Sequence, residues 1–248
     1  MALIEELEDQ GNFLFKYRSY FPIIFFAFAV LAFYYESQKG NELLNNQTYW
    51  LISLAVGIVG LLIRVFTVGF TPKNTSGRNT AEGQVADELN TTGIYSLVRH
   101  PLYVGNFFMW LAPAMLSANL WFITSFTLLY WVYYERIMFA EEAFLRRKFG
   151  DTYLNWAKGV PAFVMKLSTP SSPKYPFSLK KVLKKEKNGV FALFTLFFVF
   201  DYLKNGFANN DWSVIQNNWF WAFVVSGIVY FILKFIKRGT SLLEDGRG

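Results

Sequence analysis

Long blocks without charged side chains divide the chain. Residues 19–35 and 43–63 carry no acidic or basic side chain, and each approaches the roughly 20 residues of a transmembrane helix. Residues 100–134 carry none apart from the histidine at their start, which is too long for one span. The turn-like run Ser117-Ala118-Asn119-Leu120 splits this block into a helical hairpin. The second arm keeps a helical pattern past the membrane and stops at Gly150. Residues 212–233 form another apolar run, rich in Trp and Phe. Residues 188–200 are uncharged but short, and their pattern suits a span, an interfacial segment or a helix inside a bundle. In lipid only helices or closed barrels satisfy the backbone, and these runs are too continuous for barrel strands. The pattern predicts an all-α integral membrane protein with five or six transmembrane helices.

Composition agrees. Apolar residues make up 53% of the 248 residues, aromatics 20% and charged residues 17%, against roughly 25% charged in soluble domains. The chain has no cysteine and one histidine, which excludes a disulfide framework, a cysteine nucleophile and a thiolate or His-rich metal centre. No metal is implied. The net charge of +6 comes from residues flanking apolar runs, so it suits a membrane surface and not nucleic acid. The acidic N-terminus, with no small-residue cleavage site after the first apolar run, reads as no signal peptide.

Charge bias sets the expected orientation. Twelve of the 24 Lys and Arg residues fall between Arg136 and Lys187, and the last apolar run is followed by Lys234, Lys237 and Arg238. The positive-inside rule then places residues 71–99, residues 136–187 and both termini in the cytoplasm. Three regions are expected: a membrane core over 1–165, a Pro-rich and polybasic linker over 166–187, and a hydrophobic helix pair over 188–248. The run Lys180 to Lys187 suits anionic lipid headgroups.

Between these apolar blocks lie polar signals that a membrane anchor would not need. In Arg99-His100-Pro101-Leu102-Tyr103-Val104-Gly105, the proline disfavours helix at His100. Arg99 and His100 are expected at a non-helical entry, with backbone groups open to a ligand. Glu141 and Glu142 lie just past the membrane end of a helix, with Arg146 one turn beyond Glu142 on the same face. Val160-Pro161 folds the chain back. Residues 71–93 form a polar loop long enough to suggest function.

The ordered set RHPxYxG, a helical hairpin, EExxLxxxFGxxYxxW and a VP turn resembles the isoprenylcysteine carboxyl methyltransferase and phospholipid methyltransferase superfamily. Its pieces here are Arg99 to Gly105, then Glu141, Glu142, Leu145, Phe149, Gly150, Tyr153 and Trp156, then Val160 and Pro161. The resemblance implies S-adenosyl-L-methionine as cofactor, in a site at the cytoplasmic edge of the membrane. It implies that His100, Pro101, Tyr103 and Gly105 shape the cofactor pocket, and that Glu141 and Glu142 meet the cofactor's positive end or tie down a loop over it. One departure is visible: the family often has a second proline after the VP turn, where this chain reads Val160-Pro161-Ala162-Phe163.

A methyl acceptor that is already anionic needs no general base, whereas an ammonium headgroup must first lose a proton. This tilts the expectation toward an anionic lipid. Residues 75–106 further resemble bacterial lipid A phosphate O-methyltransferases. That narrower likeness implies a lipid A phosphate acceptor in a bacterial inner membrane, with Arg78, Asn79 and Arg99 as phosphate-binding candidates. Arg64 is an additional candidate for anion recognition. The alternatives are carboxyl methylation of a prenylcysteine-like substrate, N-methylation of a phospholipid headgroup, and a non-catalytic membrane protein retaining the fold. The nicotinamide-dependent membrane reductases of the wider group need about ten spans, and this chain is too short for them.

Overall fold

The structure, a computed structural model, describes residues 2–18, 20–72, 79–80 and 83–244. Among the described residues there are seven α-helices: α1 (Leu3–Tyr17), α2 (Phe21–Gln38), α3 (Gln47–Phe70), α4 (Pro101–Leu116), α5 (Leu120–Gly159), α6 (Leu179–Asn209) and α7 (Asn218–Gly239). Two-residue strands, β1 (Asn79–Thr80) and β2 (Gly83–Gln84), pair antiparallel in the loop after α3.

Three of these helices, α3, α6 and α7, are long and apolar enough to cross a membrane. The apolar stretches of α2 and α4 are shorter. Large apolar side chains stand exposed along the outer faces, including Phe28, Leu62, Leu128 and Phe231. In water these would be a liability, and lipid is their natural solvent.

Local chemistry sets the helix ends. Asn46, Asn119, Ser178 and Asn217 cap α3, α5, α6 and α7, each side-chain oxygen accepting from a first-turn N–H. The expected hairpin is present, and Ala118 (φ 51°) makes its tight turn between α4 and α5. α5 does not stop at Gly150. That residue (φ 51°, ψ −129°) breaks the helical path, and the helix resumes as far as Gly159.

Two regions differ from the sequence reading. The acidic N-terminus forms α1, which lies against the part of α5 beyond its apolar stretch. There Gly11 meets the Arg136 carbonyl so closely that a Cβ would sit 2.2 Å from its oxygen, Tyr133 donates to Leu14 O at 3.1 Å, and Glu8 pairs with Arg147 at 2.6 Å. The polybasic run is not linker but the opening turns of α6. Lys181 is buried there and donates to the Pro72 carbonyl at 2.7 Å and to the Thr71 carbonyl, closing the C-terminal end of α3. Residues 188–200 continue the same helix. Residues 169–176 are non-helical, as their prolines predict.

Two apolar cores stabilise the bundle. One joins α2, α3, α4 and α6 through Phe33, Trp50, Leu116, Phe197 and Phe200. The other joins α1, α4 and α5 through Phe15, Ala114, Phe126, Tyr130, Tyr134 and Ile137, and leads to the polar end of the molecule.

Candidate active site

The site begins where α4 begins. Pro101 is the first helical residue, and His100 precedes it with φ −120° and ψ 60°. The backbone groups expected to be open are occupied. Arg99 N–H donates to Pro161 O at 2.9 Å, His100 N–H to Ala162 O at 3.1 Å, and Lys166 N–H to Leu97 O at 3.1 Å. The VP turn therefore pins the Arg99-His100 entry, and ligand contacts fall to side chains.

Those side chains face the extension of α5. Successive helical positions diverge by about 100°, so Glu141 and Glu142 reach different partners around one imidazole. His100 Nε2 lies 2.9 Å from Glu142 Oε1, and Nδ1 lies 3.6 Å from Glu141 Oε2. Tyr103 donates to Glu141 at 2.9 Å, and its ring stacks on His100 at 5.6 Å. Arg99 clamps Glu142 through Nε and Nη2 at 2.8 and 3.2 Å, and its Nη1 donates to the Ala157 and Val160 carbonyls. Glu142 thus pairs across the fold with Arg99 rather than with Arg146 one turn away.

Burial alone would lower the His100 pKa, but hydrogen bonds and charge from Glu141 and Glu142 outweigh it and push the value up to about 9. Burial would raise both carboxyls. His100 and Arg99 overrule it for Glu142, which falls to about 2, and His100 and Tyr103 hold Glu141 below the usual range. At neutral pH the cluster is an imidazolium between two carboxylates.

A cavity of about 200 Å³ opens beside this cluster. Arg99, His100, Pro101, Tyr103 and Glu141 line it. Glu142 stands behind His100 and Arg99 and holds both. Gly105 faces α3, where a Cβ would lie 2.5 Å from Arg64 Cγ and 2.9 Å from Gly60 O. Its role is to let α3 and α4 approach closely, which brings the Arg64 side chain to the cavity. Arg64 is clamped by Glu186 at 2.7 and 2.8 Å and also donates to Asn106. Arg78 lies outside the described residues. Asn79 is described only as the backbone partner of Gln84, and its side chain lies outside the description.

Arg18, Gln84 and Glu88 escaped the sequence reading, and Trp156 was a piece of the motif with no role assigned to it. Arg18 follows α1 and reaches the cavity over the Phe15 ring at 3.9 Å. The amphipathic period of residues 3–17, ending in an arginine ahead of an apolar run, was the available signal. Gln84 and Glu88 come from the loop after α3, and Trp156 from the end of α5. Glu88 is held by Lys174 Nζ and Tyr175 OH, each at 2.8 Å, which lower its carboxyl pKa. Gly93 N–H donates to Ser171 O, and Ser171 N–H to Ser96 Oγ. The Pro-rich segment is thus a strap over the loop. Gln84 Oε1 and Trp156 Nε1 are buried with no hydrogen-bond partner among the described residues.

A helical membrane bundle with a histidine–dicarboxylate cluster at one polar end defines a class that comparison makes specific. Residues 49–152 match the family model for phospholipid methyltransferase. The chain is 30% identical over 142 residues to a probable protein-S-isoprenylcysteine O-methyltransferase of Oryza sativa subsp. indica, covering 56% of this chain and 72% of that one. It is 44% identical over 75 residues to the protein-S-isoprenylcysteine O-methyltransferase of Schizosaccharomyces pombe, covering 30% and 31%. A nickel-cobalt-cadmium resistance protein of Alcaligenes xylosoxydans xylosoxydans is 31% identical over 132 residues, covering 51% and 59%. No solved structure matches. The chain belongs to the isoprenylcysteine and phospholipid methyltransferase family of membrane proteins. It spans about a third of the length of the S. pombe relative.

Proposed function

We propose that this chain is an S-adenosylmethionine-dependent methyltransferase acting on an anionic oxygen of a lipid-borne acceptor at the cytoplasmic edge of the membrane. The observation that carries the anionic acceptor is the placement of the His100 ring between two carboxylates, 2.9 Å from Glu142 and 3.6 Å from Glu141. An ammonium acceptor needs a base poised near neutrality. Here His100 is held protonated, with a pKa of about 9, and Glu141 and Glu142 are held ionised as its partners. A carboxylate or phosphate needs no proton removed, so N-methylation is the weaker reading.

The residues suit the cofactor. The indole N–H of Trp156 and amide oxygen of Gln84, which have no partner among the described residues, offer a donor and an acceptor to a base or ribose. Tyr95, Phe144 and Trp156 offer aromatic faces, and Glu141 and Glu88 offer carboxylates to a cationic centre. Bound there, S-adenosylmethionine supplies a methyl group on sulfonium sulfur. The protein's part is positioning and the exclusion of water. His100 fixes Glu141, Glu142 held by Arg99 fixes His100, and the strap at 171–175 holds the loop bearing Glu88.

The named relatives favour a carboxylate of the isoprenylcysteine kind as acceptor. The lipid A phosphate reading has less behind it, because Arg99 is committed to Glu142 and two carbonyls. The remaining parts of the reading are five or six spans, both termini cytoplasmic in a bacterial inner membrane, and anionic headgroups at Lys180, Lys184 and Lys185.

Calorimetric titration of the detergent-solubilised protein with S-adenosylhomocysteine tests this reading, followed by labelled methyl transfer to a farnesylated cysteine and to lipid extracts. Micromolar binding and transfer to one acceptor support it. No binding at millimolar ligand by the folded protein would sink it and favour a non-catalytic protein that keeps the fold.

A further inference from the structure

A second cavity, of about 230 Å³, opens at the other end of the bundle. α3 connects the two. Gln47 in its first turn lines this cavity and Arg64 lines the His100 cavity, about 26 Å along the axis at roughly 1.5 Å per residue. The floor is charged. Asp201 of α6 is 3% exposed, and its carboxylate accepts from Lys204 Nζ at 3.0 Å and from Asn217 Nδ2 at 2.5 Å. Lys204 Nζ also stands 5.1 Å from the centre of the Trp50 ring, and Trp50 packs on Trp219 at 5.5 Å. The carboxamide residues Asn45, Gln47 and Asn218 are exposed at the mouth.

Packing does not explain this arrangement. A buried ion pair stabilises a fold little compared with apolar residues of the same volume. Ionisable groups within a membrane helix mark functional sites by default. Both oxygens of Asp201 already face protein donors, so this carboxylate is not a cation site. It fixes the Lys204 ammonium instead. That ammonium has three N–H donors and gives one to Asp201. With the carboxamides at the rim it presents a set of N–H donors, its own charge balanced by Asp201. The complement is a compact group with several acceptor oxygens, and phosphate has that chemistry. Trp212 and Trp221 are exposed in the same region of the chain, and indoles concentrate at the depth of lipid headgroups. At that depth the abundant phosphate is a phospholipid's.

We propose that this cavity binds the phosphate of a membrane phospholipid headgroup, through Lys204, Asn45, Gln47 and Asn218, with Asp201 as the positioning residue. This binding is independent of whether the His100 site transfers methyl groups.

The test uses the full chain purified in detergent, read by native mass spectrometry and thermal unfolding. The probes are phosphatidylethanolamine, phosphatidylglycerol, a diacylglycerol with the same acyl chains, and inorganic phosphate. Both phospholipids should be retained and raise the Tm, and diacylglycerol should do neither. The rim variant Gln47→Ala/Asn218→Ala, altered only at exposed side chains, should keep the lipid-free Tm and bind phospholipid about tenfold more weakly. Lys204→Gln should lose retention, and Lys204→Arg should restore most of it. Diacylglycerol bound as well as phospholipid would overturn the proposal in favour of acyl-chain contacts. Inorganic phosphate alone matching the phospholipid would overturn the lipid source. Rim and Lys204 variants that bind like the parent would overturn the site.

Discussion

The imidazole of His100 sits 2.9 Å from Glu142 Oε1, and Arg99 Nε donates to the same oxygen at 2.8 Å. Glu142 is therefore a hub whose loss frees two cations together. Glu142→Gln removes the charge and keeps the shape. It should lower stability by about 1–3 kcal/mol and weaken S-adenosylhomocysteine binding, read by thermal unfolding and calorimetry. Arg146→Gln, which leaves the cross-fold pair intact, should change neither.

The His100 pKa dictates a pH profile. A group whose pKa is raised on folding, here from 6.5 to about 9, binds more protons in the folded state across that window. Its contribution is complete below about 6.5 and is lost as pH rises through 9. Glu142, lowered to about 2, contributes above its unfolded value and loses that only in strong acid. The Tm of the parent should fall between pH 7 and 9.5, and His100→Gln should flatten that slope. An unchanged slope in the variant would place the titrating group elsewhere.

Arg18 reaches the cavity from a helix outside the matched segment 49–152. Its charge acts on Glu141 and Tyr103. Arg18→Gln should raise the KM for an anionic acceptor about tenfold, equivalent to roughly 1.4 kcal/mol, with a smaller effect on S-adenosylhomocysteine affinity. Steady-state kinetics at saturating cofactor measure this. A change confined to cofactor affinity would assign Arg18 to the cofactor side.

Two glycines should behave oppositely. A Cβ at Gly105 would press on Arg64 and the Gly60 carbonyl, whereas one at Gly159 would meet nothing within 4 Å. Gly105→Ala should destabilise by about 1–3 kcal/mol through overpacking and disturb Arg64. Gly159→Ala should be neutral. Thermal unfolding of both variants checks the pair.

Much of the fold was legible because lipid demands long uncharged runs. The hairpin, its turn at Ser117–Asn119 and the non-helical entry at His100 follow from composition and from Pro101. α1 was hidden because its charges mask an apolar stripe that only α5 completes. The opening of α6 was hidden because a lysine-rich run reads as solvated, whereas Lys181 is buried against the end of α3. In the site, the motif gave Arg99, His100, Tyr103 and both glutamates. Which groups were already committed could not be read from spacing. The carbonyls of Pro161 and Ala162 lie some sixty positions from the N–H groups they satisfy, and no local pattern reports such pairing.

The strap over the loop has a mechanical consequence. The floor is fixed by rings and helices, but Glu88 is held by a lysine that is 58% exposed. Exposed ion pairs are weak and are screened by salt, while packed helices are not. Ionic strength therefore acts on this molecule as a local solvent for its roof. It weakens the Lys174 contact to Glu88, while the Tyr175 hydroxyl bond and the apolar cores of the bundle are not screened.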